Sequence, residues 1–302
     1  MSRRPVPLVA HGFTLVEAVI VIVIIGVLGA IVAVFIRAPV QGYADSLDRA
    51  ELSDTADLAL RRIARDLRLA LPNSIRVVSS PTVSAIEFIP TKSGGRYLAA
   101  EDGVAGLPVL DFANPNNTSF TVVGDMPSGK GAIVGHQDYV VVGNLGPGFS
   151  PADAYTTAGA TNIARVDSVS GKQITLEGTT SPFGAQNPPM PSESSRFQVV
   201  GQPVSYVCTT GANGNMVLSR QWNYGFNPSQ VAAPVPPAAD TASLTGSQYR
   251  LIAGRVATCQ FSYTSLATTR SALVILTLEL QPRNSTDATV KLVDQVHVDN
   301  TP

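Results

Sequence analysis

The apolar and polar residues change their pattern twice along the chain. Residues 18–36 form an uncharged run of nineteen residues that is rich in Val and Ile. As a helix this run would span about 28 Å, close to the thickness of the hydrocarbon core of a bilayer. The run is longer than the apolar part of a signal peptide, and no Ala-x-Ala site follows it. Few helices in soluble cores are apolar on every side, so the pattern predicts a membrane-spanning helix.

A second pattern, with three- and four-residue steps between apolar positions, begins beyond Pro39. The apolar positions are Leu52, Ala56, Ala59, Leu60, Ile63, Leu67, Ala70 and Leu71. This stripe is typical of an amphipathic helix, and Pro72 ends it. Together the patterns predict one helix over residues 13–71, with its first half in lipid and its second half under a globular domain. Two helices joined at residues 39–42 are the alternative, because Pro39 and Gly42 can loosen the junction.

Charged residues in the second half of this helix are spaced to form ion pairs. Asp57 lies four residues before Arg61, and Arg62 lies four residues before Asp66. Side chains at this spacing are neighbours on a helix surface, although the second pair has the less favourable polarity. We expect Asp57 to pair with Arg61, and Arg62 with Asp66.

Beyond Pro72 the chain consists of short β-rich runs separated by Gly, Pro, Asn and Ser. The predicted strands are 85–89, 119–123, 138–142, 173–177, 272–280 and 290–298, together with a hairpin over 204–222 that turns at Asn213–Gly214. Two proline-rich stretches, 182–195 and 227–246, are predicted to be loops. The expected fold class is therefore α+β, with a long N-terminal helix packed on a C-terminal antiparallel β-sheet domain.

Composition limits what this domain can do and where it lies. The chain has 302 residues and a formal net charge of −1, and without a basic stripe it is not expected to bind nucleic acid. Arg3 and Arg4 precede the apolar run, so the positive-inside rule predicts a cytoplasmic N-terminus and an exported domain with room for an inserted lobe. Cys208 and Cys259 lie on the exported side, where two cysteines favour one disulfide.

The motifs of common enzyme classes are absent from the sequence. It contains no Gly-x-Ser-x-Gly nucleophile elbow and no His-Glu-x-x-His metal motif, and residues 128–135 lack the spacing of a phosphate loop. His11, His136 and His297 are isolated, and two cysteines are too few for a Cys-rich zinc site. We therefore predict no enzymatic activity, no catalytic residue, no cofactor and no metal.

The segment "HGFTLVEAVIVI", residues 11–22, closely resembles the leader junction of type IV pilins and type II secretion pseudopilins. This resemblance implies that prepilin peptidase cuts after Gly12, that Phe13 becomes a methylated N-terminus, and that Glu17 is the glutamate required for filament assembly. It also implies membrane lipid, the inner-membrane assembly platform and other minor and major pilins as partners.

Further segments resemble large minor pilins. Residues 49–77 are similar to the helix-to-domain junction of J-type pseudopilins and PilW-like proteins, and residues 195–208, 256–263 and 292–302 are similar to MshO-type proteins of the mannose-sensitive haemagglutinin pilus. This likeness implies a minor pilin that starts or caps a type IV pilus. A J-type pseudopilin of a type II secretion system is one alternative. A membrane-anchored exported enzyme or binding protein is the other.

The resemblance implies four segments and an inner-membrane protein with a periplasmic domain. The segments are a leader over 1–12, a transmembrane half-helix over 13–38, an amphipathic half-helix over 39–71 and a β-rich exported domain over 72–302. Glu17 is then expected to pair with a cation, since an unpaired carboxylate at the membrane edge costs free energy. The α-ammonium of Phe13, on the same chain or on a neighbour, is the expected partner. A simple interfacial acid at the start of a helix is the alternative.

Overall fold

The computed structural model describes residues 13–80, 82–211, 214–230, 248–264, 271–282 and 289–301. Its first element is one α-helix, α1, over Leu15–Leu67. Pro39 lies inside this helix, so the prediction of one helix is confirmed and that of two helices is wrong. The predicted end at residue 71 is also wrong, because the Leu71 N–H donates to the carbonyl of Ile89 instead of continuing the helix.

The chain divides into two compact units, residues 1–51 and residues 52–302. In the first unit the large apolar side chains of residues 13–36 are exposed. Helix α1 is long and apolar enough to cross a membrane, which is consistent with anchoring in a bilayer. The second unit contains the last four turns of α1 and all of the β-structure.

Thirteen strands follow the helix in the described part of the chain. They are β1 Arg76–Ser79, β2 Val83–Phe88, β3 Thr91–Tyr97, β4 Ser119–Val123, β5 Tyr139–Val141, β6 Ile163–Ser170, β7 Gln173–Leu176, β8 Arg196–Val200, β9 Val204–Thr210, β10 Met216–Trp222, β11 Gln248–Thr264, β12 Ser271–Leu280 and β13 Val290–Asp299. Single turns of 3₁₀-helix lie at Ala100–Asp102 and Gly129–Gly131. The α+β fold class is confirmed.

Seven strands form an antiparallel sheet in the order β1-β2-β9-β10-β11-β12-β13. The predicted hairpin over 204–222 corresponds to β9 and β10, in which Cys208 pairs with Leu218. Gly214 has a positive φ of 75°, as a tight turn requires, while Asn213 lies outside the described residues. The predicted loop over 227–246 lies mostly outside them as well.

The chain between β2 and β9 folds into a closed six-stranded barrel in the order β3-β4-β7-β6-β5-β8. The barrel has its own core, in which the rings of Phe120 and Phe197 pack edge to face at 5.5 Å. Strand β3 has the sequence TKSGGRY, which carries no strand signal. A side chain at Gly95 would have its Cβ 2.9 Å from the ring of Phe197, so a larger residue there would displace this packed ring.

The second half of α1 packs on the seven-stranded sheet. Every apolar position of the predicted stripe is buried except Ala70, which is half-buried. Ile63 and Leu67 have no exposed surface, and they belong to one core with Tyr206 and Leu276 of the sheet. The 3.6-residue period of the sequence therefore identifies the face of the helix that the sheet covers.

One of the two predicted ion pairs on α1 is present. Arg61 Nε lies 2.7 Å from Asp57 Oδ2, on the exposed side of the helix. The pairing of Arg62 with Asp66 is wrong. Asp66 faces the sheet, where its Oδ2 accepts hydrogen bonds from Tyr206 Oη at 2.8 Å and from Arg220 Nε at 3.1 Å. Tertiary contacts thus replace the local pair.

A disulfide joins Cys208 of β9 to Cys259 of β11, two strands that are not neighbours in the sheet. The two Cα atoms are 6.2 Å apart, and both cysteines are buried in the core beneath α1. The two cysteines are 51 residues apart in the sequence, so the bond strongly reduces the conformational entropy of the unfolded chain.

Replacing both cysteines with Ser should destabilise the protein by about 2–4 kcal/mol, since a loop of this length is worth roughly 4 kcal/mol in the chain-entropy model. Denaturant unfolding of the full chain in detergent measures the loss. Reductant should lower the stability of the wild type and leave the double variant unchanged. Alkylation of both cysteines in denatured, unreduced protein would show that the bond does not form.

A buried ion pair lies beside the barrel. Arg76 Nε of β1 is 2.8 Å from Glu87 Oε2 of β2, and both side chains are almost fully buried. The guanidinium lies 3.6 Å from the ring centre of Tyr155 and donates to the carbonyls of Asn227 and Pro228. These contacts satisfy a charge that would otherwise be costly to bury.

Tyr224 completes the surroundings of this ion pair. Its hydroxyl donates to Glu87 Oε1 at 3.0 Å and lies 2.7 Å from Ser205 Oγ. Burial and the nearby Glu87 carboxylate raise the pKa of Tyr224 well above its ordinary value. The phenol therefore stays protonated and remains a hydrogen-bond donor to the carboxylate at any physiological pH.

Glu87→Gln should lower the free energy of unfolding by about 3–5 kcal/mol, because the Arg76 guanidinium stays buried without a counter-charge. Asp57→Asn is the matched control. It removes the exposed ion pair with Arg61 and should cost less than about 1 kcal/mol. Chemical denaturation of both variants gives the comparison, and equal losses would contradict the role of burial.

Candidate functional site

The first turn of α1 is built around Thr14. The carbonyl of Thr14 accepts the N–H of Ala18 at 3.2 Å, and its Oγ1 accepts the N–H of Glu17 at 3.3 Å. Thr14 is therefore the N-cap, and its hydroxyl satisfies one of the amides that a helix start leaves without an intrahelical partner. This cap explains why the helix begins at Leu15 and not at Phe13.

Glu17 lies in this first turn, three residues after the cap. The Thr-x-x-Glu spacing is that of a capping box, and a negative charge here is also favoured by the helix dipole. The side chain is exposed, and in the described part of the chain no Arg, Lys or His forms an ion pair with its carboxylate. The charge is thus free to meet a cation from outside these residues.

Exposed apolar residues precede Glu17 in the sequence. Phe13, Leu15 and Val16 precede it, and all three are largely exposed. Gly12 and the rest of the predicted leader lie outside the described residues. Phe13 thus lies directly before the N-cap and Glu17 lies in the first turn of α1, next to apolar side chains whose exposure to water is unfavourable.

The other cysteine and histidine residues named in the sequence lie in the second unit, except His11, which lies outside the described residues. Cys208 and Cys259 form the core disulfide. His136 is exposed with its Nε2 3.6 Å from Asp167 Oδ1, and His297 is exposed on β13. Over the described residues, no three His, Cys, Asp or Glu side chains lie together as a metal site requires.

The structure contains surface depressions that the sequence did not predict, two of which are lined by charged side chains. A cleft of about 570 Å³ on the barrel includes Tyr139, Arg165 and Glu177 in its lining. A groove of about 550 Å³ between α1 and β11 includes Arg62 and Arg250. The run of arginines that ends α1 was a sequence signal for the groove, but the contribution of β11 depends on tertiary structure.

Comparison with known proteins identifies the start of the chain. A model of the prokaryotic N-terminal methylation motif matches residues 9–33, which include Phe13, Thr14 and Glu17. No curated protein and no solved structure matches the chain. The chain thus carries a type IV pilin-like prepilin leader motif, which implies processing by prepilin peptidase and pilin-like partners in general. Proteins with this motif are structural, and the match gives no support to the narrower likeness to MshO-type proteins.

The predicted processing can be measured directly. Mass spectrometry of the chain purified from membranes should find Phe13 as a methylated N-terminus, with residues 1–12 removed. Gly12→Val should block the cut, because it places a branched side chain where the motif has a small one. An intact Met1 in the wild type, or a cut beyond Ala30, would contradict the assignment.

Proposed function

We propose that this chain is a minor pilin that takes part in the initiation or tip assembly of a type IV pilus. The observation that carries the proposal is helix α1. It begins with the methylation motif, exposes an apolar run, and continues without interruption into the stretch that packs on the sheet. A helix of this kind holds a subunit in the membrane before assembly and serves as the core of a filament afterwards.

The proposed orientation has a cytoplasmic N-terminus and a periplasmic domain. Arg3 and Arg4 support it, since basic residues beside a membrane span stay in the cytoplasm. The disulfide between Cys208 and Cys259 also supports it, because such bonds persist in the periplasm. In this proposal prepilin peptidase removes residues 1–12 and an inner-membrane platform then extracts the subunit from lipid.

Glu17 is the proposed docking charge. Cleavage after Gly12 leaves an α-ammonium on Phe13, which stays cationic when it is methylated. Pairing of Glu17 with the ammonium of a neighbouring subunit would fix the axial register of the two helices. Once the subunit has left the bilayer, packing of residues 18–36 against neighbouring helices would supply most of the adhesion, because it keeps a large apolar surface out of water.

The barrel supports a place at the start or tip of the filament. It inserts about a hundred residues between β2 and β9 of the sheet. Subunits inside a filament are surrounded by neighbours, whereas a subunit at the end has free space on one side. The same features suit a J-type pseudopilin at the tip of a secretion pseudopilus, which is the second candidate.

Glu17→Gln should leave cleavage and folding intact and weaken incorporation into the filament. Glutamine keeps the size of the side chain, but it cannot balance an ammonium. The attraction lost is on the order of 4 kcal/mol at about 4 Å and an effective dielectric near 20, before desolvation. A net loss of about 1–3 kcal/mol would lower docking at least roughly fivefold. The measurement is the number of surface pili and the yield of crosslinks to neighbouring subunits.

Asp125→Asn is the matched control, since it neutralises an exposed carboxylate on the barrel. This variant should assemble normally. Unchanged pilus numbers and crosslinks in Glu17→Gln would mean that Glu17 is only an interfacial acid. Deletion of the chain separates the two candidate functions, because loss of pili supports the pilin and loss of secreted proteins supports the pseudopilin.

A further inference from the structure

The groove between α1 and β11 has a strongly basic rim. It is about 550 Å³ in volume, and its lining includes Arg61, Arg62 and Arg65 of α1 and Arg250 of β11. Four guanidinium groups around one depression attract anionic groups, and guanidinium is suited to carboxylates because it donates two parallel hydrogen bonds.

The basic rim is only partly neutralised within the described residues. Arg61 is paired with Asp57. Arg65 Nε is 3.8 Å from Oδ1 of Asp66, a residue that also accepts from Arg220. Over the same residues Arg62 and Arg250 form no ion pair, and the buried Nε of Arg62 has no hydrogen-bond acceptor. The groove therefore carries a net positive charge and an unsatisfied buried donor, which a carboxylate can satisfy.

The groove also exposes apolar surface. Leu58 is 69% exposed and Leu251 is 52% exposed. A β-bulge at Ile252 lies in the lining of the groove, since Ser219 pairs with Leu251 and Leu218 pairs with Ala253. A small inorganic anion would leave both leucines uncovered. An acidic segment that also has apolar side chains would cover them.

Helix α1 itself shows that a helix bearing the methylation motif can present such a segment. Residues 45–54 of this helix carry four acidic side chains and one basic side chain, Arg49, and they precede the arginines of the rim. Tyr43 and Leu47 are exposed beside or among them. The centre of the acidic stretch lies about thirteen residues before the centre of the three arginines, which is ~20 Å of helix. Parallel helices that are staggered by this amount would bring acidic and basic stretches together.

We propose that the groove is a docking site for the acidic stretch of the N-terminal helix of an adjacent pilin-like subunit. The proposal rests on the proposed function, because filament assembly is what staggers parallel helices. The arginines pair with the acidic side chains of the neighbour, and Leu58 and Leu251 pack against its apolar ones. This contact lies outside the methylation motif and adds charge specificity to the packing of the apolar runs.

The test places a photo-crosslinking amino acid at position 58 of the full chain in cells that assemble the filament. Sequencing of the crosslinked peptide by mass spectrometry should find an acidic helical stretch of a chain that carries an N-terminal methylation motif. Crosslinks only to lipid, only to the same molecule, or only to a segment without acidic residues would overturn the proposal, as would no crosslink.

Charge reversal provides the second measurement. Arg65→Glu should lower the yield of the crosslink about two- to fivefold, as expected for the loss of exposed charge pairs. Arg65 is 73% exposed, so the fold should tolerate the change. Arg196→Glu reverses an exposed arginine on the barrel and should have no effect. Equal losses in both variants, or no loss in either, would contradict docking in the groove.

Incorporation of the wild type separates this proposal from the proposed function. If the chain is cleaved and enters filaments while the crosslink at position 58 is absent, the groove proposal alone fails. If the chain is neither cleaved nor incorporated, the proposed function fails, and the groove proposal fails with it.

Discussion

The rest of the structure depends on the burial of the second half of α1 against the seven-stranded sheet. Each fully buried aliphatic side chain contributes about 1.5–3 kcal/mol, and α1 supplies several, including Leu52, Ile63 and Leu67. The sheet needs this cover because its inner face is apolar, with Leu276 and Leu278 buried beneath the helix. One helix therefore lies in two environments. Its apolar run over residues 18–36 is exposed, and its apolar stripe from residue 52 onward is packed on the sheet.

The barrel is compatible with this arrangement because it is inserted at a point that leaves the sheet intact. Strands β2 and β9 flank the insertion and pair with each other, from Val83 with Thr209 to Phe88 with Val204. The barrel has a separate core, and a smaller cluster that includes Leu71, Tyr155 and Val200 joins it to the residues that directly follow α1. The sheet and the barrel can therefore differ in role while they remain one compact unit.

The sequence predicted the features that depend on local periodicity. The apolar stripe of α1, the strand at 119–123 and the hairpin over 204–222 follow from patterns of period 3.6 or 2. The features that it did not predict depend on contacts between distant residues. Strand β3 contains adjacent glycines because Phe197 approaches it closely. Asp66 pairs with Arg220 of the sheet and not with Arg62 of its own helix.

The candidate functional residues likewise divide into those that a local sequence motif predicts and those that only tertiary contacts bring together. The methylation motif is contiguous, so Phe13 and Glu17 could be identified from the sequence alone. The groove combines α1 with Arg250 and Leu251, and its shape depends on a β-bulge. The three arginines of α1 are close together in the sequence, but a bulge has no reliable sequence signal, so the contribution of β11 to the basic rim depends on the tertiary structure.

The position of Glu17 in the first turn of α1 bears on why this side chain is negatively charged. Its place three residues after Thr14 would be explained by a capping box, but glutamine serves that position as well as glutamate does. Capping therefore accounts for a polar side chain and does not require a negative one. A carboxylate beside an apolar run costs free energy on entering a low-dielectric environment unless a cation neutralises it. Over the described residues no cation pairs with Glu17, and the helix dipole by itself favours a negative charge in this turn. In the proposed function, a cation that arrives with processing or assembly neutralises that charge.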